Sequence, residues 1–340
     1  MAVYGQGGTH MTLLKALATA AVFTISIAGA AQAQTQTYQL TLAGASPGGL
    51  WSSIGIGMDK VMKVGFPGST VTYQTSGGGI ANVQLLDQKK VPLGIVHNME
   101  LRMAQNGEAP FKSKVEDLRV IAYLYNWAPV QLIVAKDFAE KHNLKTFEDI
   151  ATRKPPLRVA TNRRGNVVNE VVNRMLKAIG VTAEDIESWG GRVIPAASQE
   201  QGELIRNRRI DAIFNSLFVG QRSILEVADA IDVVMLPVSE ATIKKVADQS
   251  GVDGYVIPAK SYAFQPNAVP AVSLGAMLVA NKSMSDQDAY NIAKALVENV
   301  KDMQGVHPAM KALTPKFMTE QKAGQYHPGA IKLFKEKGLL

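Results

Sequence analysis

STVTYQTSGGGIANVQLL, residues 69–86, decides how this chain folds. Val71 and Tyr73 alternate with Thr70, Thr72 and Gln74, the period of a half-buried strand. Gly77, Gly78 and Gly79 then break the strand, and residues 80–86 resume with helical spacing. A strand, a glycine turn and a helix start gather free backbone N–H groups at one point, and the helix dipole adds partial positive charge there. Such a corner suits a carboxylate or another small anion. A tight turn that only needs φ > 0 would read the same way. The chain repeats the device elsewhere, and the repetition favours the ligand reading.

Working outward, residues 38–43 read as a first strand, 44–49 (GASPGG) as a loop and 50–64 as a helix. After the glycine turn and a helix over 80–88, strands are expected at 91–96 and 118–125. Residues 130–135 are apolar and fit a crossing between two lobes. The second half starts over: strand 157–160, loop 162–166 (NRRGN), helix 167–179 stopped by Gly180, and a short strand at 192–194. A helix at 198–206 and strands at 210–214 and 231–236 follow. Residues 255–270, with three prolines, read as a loop, and 272–280 as an apolar strand returning to the first lobe. A long helix is expected over 285–304 and a last one over 328–337. Strands alternating with helices predict a mostly parallel sheet covered on both faces, with ligands beyond the carboxyl ends of strands. The residues at those ends are Ser46, Ser76, the three glycines, His97, Asn98, Asn126 and Trp127 in the first half, and Asn215 and Ser216 in the second.

Composition narrows the chemistry. There are 340 residues and no cysteine, which excludes disulfides, thiolate metal sites and cysteine nucleophiles. Residues 1–33 read as a secretory signal: Lys15, a small apolar stretch over 16–31, and Ala31-Gln32-Ala33 as the cleavage pattern, with Gln34 the first mature residue. A membrane anchor is the competing reading; it lacks a positive stop after the apolar run. Thirty-six Lys and Arg face 29 Asp and Glu, a mild and scattered excess without the basic, aromatic stripe of a nucleic-acid binder.

Gly44-Ala45-Ser46-Pro47-Gly48 matches the nucleophile elbow G-x-S-x-G. A serine hydrolase at Ser46 is therefore the enzymatic alternative. It is disfavoured because the oxyanion hole uses the N–H of the residue after the serine, and Pro47 has none. The five histidines show no metal spacing, and no phosphate-binding motif appears, so neither metal nor cofactor is expected. Arg163 and Arg164, beside Gly165 in a strand-to-helix loop, form a fork able to clamp a carboxylate; a solvated pair is the alternative. Arg206, Arg208 and Arg209 sit at a helix end and read as structural. Trp51 and Trp127 are candidate pocket walls.

With these residues in view, the chain resembles the TAXI-type solute receptors of the tripartite ATP-independent periplasmic (TRAP) transporters. AGASPGGLW (43–51), TSGGGIANVQLL (75–86), RVATNRRGN (158–166), RIDAIFN (209–215), YVIPAKSY (255–262) and HPGAIKLFKEKG (327–338) carry the resemblance, which runs nearly end to end. It implies an α/β, type II periplasmic-binding-protein fold: two α/β lobes, a hinge and an interlobe ligand cleft. The expected lobes are 34–130 plus 271–340 and 131–270. The implied function is a periplasmic receptor, not an enzyme and monomeric, that captures a small organic anion of the carboxylate or amino acid class. It would deliver that anion to TRAP membrane subunits; a sensor serving a signalling partner is a further alternative. The expected ligand set is Ser46, Gly48, Gly49, Trp51, Ser76, Gly77, Gly78, Gly79, His97, Asn98, Asn126 and Trp127 from one lobe. Arg163, Arg164, Asn166, Asn215 and Ser216 face them from the other. The sequence departs from the family pattern at Ser46-Pro47, at Leu50-Trp51, at Arg163-Arg164 and at Arg208, where a glycine is common.

Overall fold

Leu42, Leu93, Ile95 and Val96 have no exposed surface, which requires the short strands they belong to to be covered on both faces. The structure, a computed structural model, describes residues 36–45 and 50–340. The signal-peptide reading and Ser46, Pro47, Gly48 and Gly49 lie outside the described residues. Ten strands appear in chain order: β1 (Gln39–Ala43), β2 (Thr70–Gln74), β3 (Leu93–His97), β4 (Leu118–Ala135) and β5 (Arg158–Thr161). They continue with β6 (Arg192–Pro195), β7 (Ala212–Ser216), β8 (Val233–Met235), β9 (Asp253–Ile257) and β10 (Val269–Asn281). The spatial order is β2-β1-β3-β10-β4-β7-β5-β6, with β8 on β4 and β9 on β10.

The expected parallel pairs are present at both ends of this order: β1 with β2 and β3, and β5 with β6 and β7. The middle is antiparallel, a correction to a mostly parallel sheet. Its cause is the two long strands. The 18-residue β4 joins the expected 118–125 strand to the apolar 130–135 segment without interruption. Its first part pairs with β10 (Leu118 with Asn281 through Pro129 with Ser273), and its second with β7 (Val130 with Ser216 through Val134 with Ala212). Likewise β10 starts against β9 and finishes against β3. Each long strand thus serves two half-sheets, the arrangement of a two-lobed periplasmic-binding-protein fold.

Other differences have local causes. The proline-rich stretch is a loop only after Ile257, because residues 253–257 and 269–273 find each other as partners across it. The long helix breaks at Asn299 into Asp286–Glu298 and Val300–Gln304, where the Asn299 side chain donates to the Ala295 carbonyl at 2.9 Å. Asn98 opens a helix, Asn98–Asn106, rather than trailing a strand. Among the described residues no helix is long and apolar enough to cross a membrane.

Candidate functional site

Asn82 holds the glycine turn in place. Fully buried, its Nδ2 donates to the carbonyls of Ala43 (3.1 Å), Gly44 (2.8 Å) and Ile95 (2.8 Å). One side chain therefore ties the ends of β1 and β3 to the helix Gly79–Asp87. Ser76 Oγ accepts the Gly78 amide at 3.0 Å and lies 2.6 Å from both the Gly44 carbonyl and Asn82 Oδ1. Two of the three glycines are required by geometry. Gly78 has φ 104°, a left-handed value that costs an L side chain strain. A Cβ on Gly79 would stand 1.5 Å from Glu100 Oε2. No side chain caps the helix that follows, which leaves its first-turn amides without a capping partner.

Above this turn opens a cleft of about 670 Å³. Gly78, Gly79, Trp51, His97, Glu100 and Tyr125 line one side. The Trp51 indole lies 4.7 Å from the His97 ring, centroid to centroid, and its Nε1 donates to the Tyr125 hydroxyl at 2.9 Å. Burial raises the Tyr125 hydroxyl well above the ordinary tyrosine value; the Trp51 bond opposes this and the Glu100 charge adds to it. Tyr125 thus keeps its proton and remains a donor.

The other side is built from the 162–166 loop, the helix Ser198–Arg206 and the start of Arg222–Ala230. Arg163 stands there exposed, and Asn166 caps the helix Val167–Ala178 by accepting the Val168 amide at 2.9 Å. Asn166 Nδ2 would lie only 3.9 Å from a Cβ on Gly78, so the two turns face one another closely. Ser216, also on the wall, donates to the Ala128 carbonyl at 2.6 Å.

Not every expected residue reaches the cleft. Asn98 is buried and spent on the fold: its Nδ2 donates to the Gly251 carbonyl at 2.7 Å and its Oδ1 accepts the Gly275 amide at 3.3 Å. Trp127 packs on Phe317 at 4.8 Å, away from the wall, and Asn126 offers its carbonyl to Ser273 Oγ at 2.7 Å. Asn215 lies behind the wall, donating to Ser198 Oγ (2.9 Å) and Gln201 Oε1 (3.1 Å). Ser76 is consumed inside the turn, Gly77 does not line the cleft, and Arg164 is exposed without lining it.

Conversely, Arg206 is on the wall, which corrects its reading as a dipole partner alone. Gln199, Gly202, Glu203 and Arg206 repeat at helical spacing, opposite buried Gln201 and Ile205, so the helix turns a polar stripe to the cleft. That stripe was visible in the sequence; its orientation was not. Arg206 lies 3.8 Å from Glu226, which also accepts from Arg222 Nε at 2.7 Å. Among the described residues no cluster of three or more His, Asp or Glu side chains suited to a metal occurs.

Comparison with solved structures gives the same fold. MatC from Rhodopseudomonas palustris with bound malate matches at TM-score 0.53 and 15% identity, covering 89% of this chain and 96% of that one. A TctC solute-binding protein from Polaromonas matches at TM-score 0.51 and 15% identity, covering 82% and 88%. The periplasmic binding protein BugD matches at TM-score 0.51 and 12% identity, covering 89% and 98%. At the level of sequence, residues 42–338 match the NMT1-like family, and the chain belongs to that family.

Proposed function

We propose that this protein is a periplasmic solute receptor of the TAXI type that captures a small organic anion and hands it to TRAP membrane subunits. The lobes in this reading are 34–130 plus 271–340 and 131–270, hinged where β4 and β10 pass between half-sheets. One observation carries the reading: an uncapped, glycine-lined helix start faces Arg163 and Arg206 across one cleft. The amides supply fixed donors and the helix dipole; the guanidinium groups supply charge-assisted bonds to a carboxylate. Closure of the lobes on the ligand would create the surface that the membrane subunits recognise.

Malate bound to MatC supports a carboxylate in a cleft of this fold. The export reading of residues 1–33 and the likeness to the periplasmic binding protein BugD support the compartment. The receptor is read as non-enzymatic because Pro47 cannot donate to an oxyanion beside Ser46.

A thermal-shift screen of mono- and dicarboxylates tests the proposal, since a ligand that binds only the folded state raises the melting temperature. At least one carboxylate at millimolar concentration is expected to shift melting by several degrees. Shifts from neutral sugars or cations alone, with none from carboxylates, would end it.

A further inference from the structure

Charge is matched on one wall of the cleft and unmatched on the other. Near the glycine turn stands Arg163, and Asn166 of the same loop comes close to Gly78. Among the described residues no acid pairs with Arg163. The wall formed by the helices Ser198–Arg206 and Arg222–Ala230 is different. Arg206 and Arg222 both reach Glu226, at 3.8 Å and 2.7 Å. Glu203 lines the cleft one turn before Arg206, on the same helix face. Two cations there meet two acids, so the helix wall carries no net formal charge. Arg206 can still donate hydrogen bonds to a ligand, but its charge is already matched.

Much of the remaining lining is apolar. Ala45, Leu50, Trp51, Ala128 and Leu217 all contribute to it. The indole N–H of Trp51 is spent on the Tyr125 hydroxyl, which leaves the ring as apolar surface. Ala128 and Leu217 adjoin where β4 pairs with β7: Ser216 donates to the Ala128 carbonyl and the Leu217 amide to that of Pro129. A volume of about 670 Å³ lies in the range that holds ligands well above a four-carbon acid in size. A methyl group or ring placed on this lining gains by leaving water. A second carboxylate would lose hydration there, find no unmatched cation, and be repelled by Glu203 and Glu226.

We infer that the cleft takes a monocarboxylate with an apolar body and discriminates against the matching dicarboxylate. Glu226 is the specificity-determining residue, because it holds the charge of Arg206 and Arg222 away from the ligand. The inference rests on the receptor reading above and narrows its ligand class.

Calorimetric titration of the full chain at low ionic strength tests it, with acids that differ only by methyl against carboxylate. The pairs are hexanoate against adipate and 4-methylbenzoate against terephthalate, with acetate as the acid that lacks a body. In at least one pair the monocarboxylate is expected to bind tenfold or more tightly than its partner. The same monocarboxylate should bind at least tenfold more tightly than acetate, since each fully buried methylene is worth about fourfold. Glu226→Gln keeps the shape of the wall and frees two guanidinium groups. Glu226 is half-exposed, so the fold tolerates the change. This variant is expected to cut the preference for the monocarboxylate at least threefold, mainly by tightening the dicarboxylate. Three results overturn the inference and leave the receptor reading standing: dicarboxylates bound as tightly as their partners, acetate bound as tightly as the larger acids, or a preference untouched by Glu226→Gln. No binding by any of these acids removes both.

Discussion

The two walls of the cleft are built on opposite plans. On the side of the glycine turn, Trp51, His97, Glu100 and Tyr125 are buried and bonded to one another, with Asn82 stapling the turn behind them. On the other side Arg163, Glu203, Arg222 and Glu226 stand exposed on a loop and two helix faces. The difference follows from the physics of each interaction. Hydrogen bonds lose their value within a few tenths of an ångström, so the groups that bond at fixed geometry are held in a dry wall. Charges act over longer distances and tolerate side-chain movement, so they can sit on the wet one.

The sharpest way to break this contrast is to add one atom to the dry wall. Gly79→Ala drives a Cβ into the Glu100 carboxyl, which is fully buried and held by the His97 amide. Overpacking together with a disturbed charged hydrogen bond should cost about 4 kcal/mol, read from the denaturant midpoint. A loss below about 1 kcal/mol would mean that this wall is not rigid. Next, Asn82→Ala leaves three carbonyls without their shared donor. A loss of about 3 kcal/mol in stability is expected, and anion binding should weaken with it as the turn loosens.

On the wet wall the pattern reverses. Arg163→Ala should leave the unfolding midpoint unchanged but weaken carboxylate binding by about 2 kcal/mol. Arg164→Ala, one residue away but off the wall, should change binding by less than about 0.5 kcal/mol. Equal effects of the two variants would erase the distinction drawn between them. The smallest effect is expected outside the cleft. Arg208 has φ 57°, left-handed for a residue with a side chain, and its guanidinium pairs with exposed Asp137 at 3.0 Å. Arg208→Gly relieves about 1 kcal/mol of backbone strain and gives up an exposed ion pair worth no more than that. The melting temperature should move by only a degree or two, and ligand affinity not at all.

Much of this was legible in the chain. The strand, glycine turn and helix of 69–86 follow from local pattern, as do the NRRGN loop and the polar strand ends. Strand ends, however, do not say which side chains face the cleft. Successive residues along a strand point to opposite faces, and a helix begins where the strand β3 stops. Hence His97 lines the cleft while Asn98 bonds to Gly251. Tyr125 and Ala128 line it while Asn126 and Trp127 do not, because the pairing of β4 with β10 is irregular between Tyr125 and Ala128 and simple alternation breaks there. Glu100 escaped notice because a lone acid in a helix looks solvated until burial is known.

By itself the sequence determined the succession of strands, turns and helices, because period and glycine placement are local properties that each segment carries alone. It also determined the chemistry that is unavailable, since a chain without cysteine has no thiolate to offer. Only the tertiary structure decided that β4 and β10 each serve two half-sheets, that Asn166 comes to face Gly78, and that a buried carboxyl lies one glycine behind the cleft. These depend on contacts between residues far apart in the chain, and no local pattern encodes which distant surface a side chain will meet.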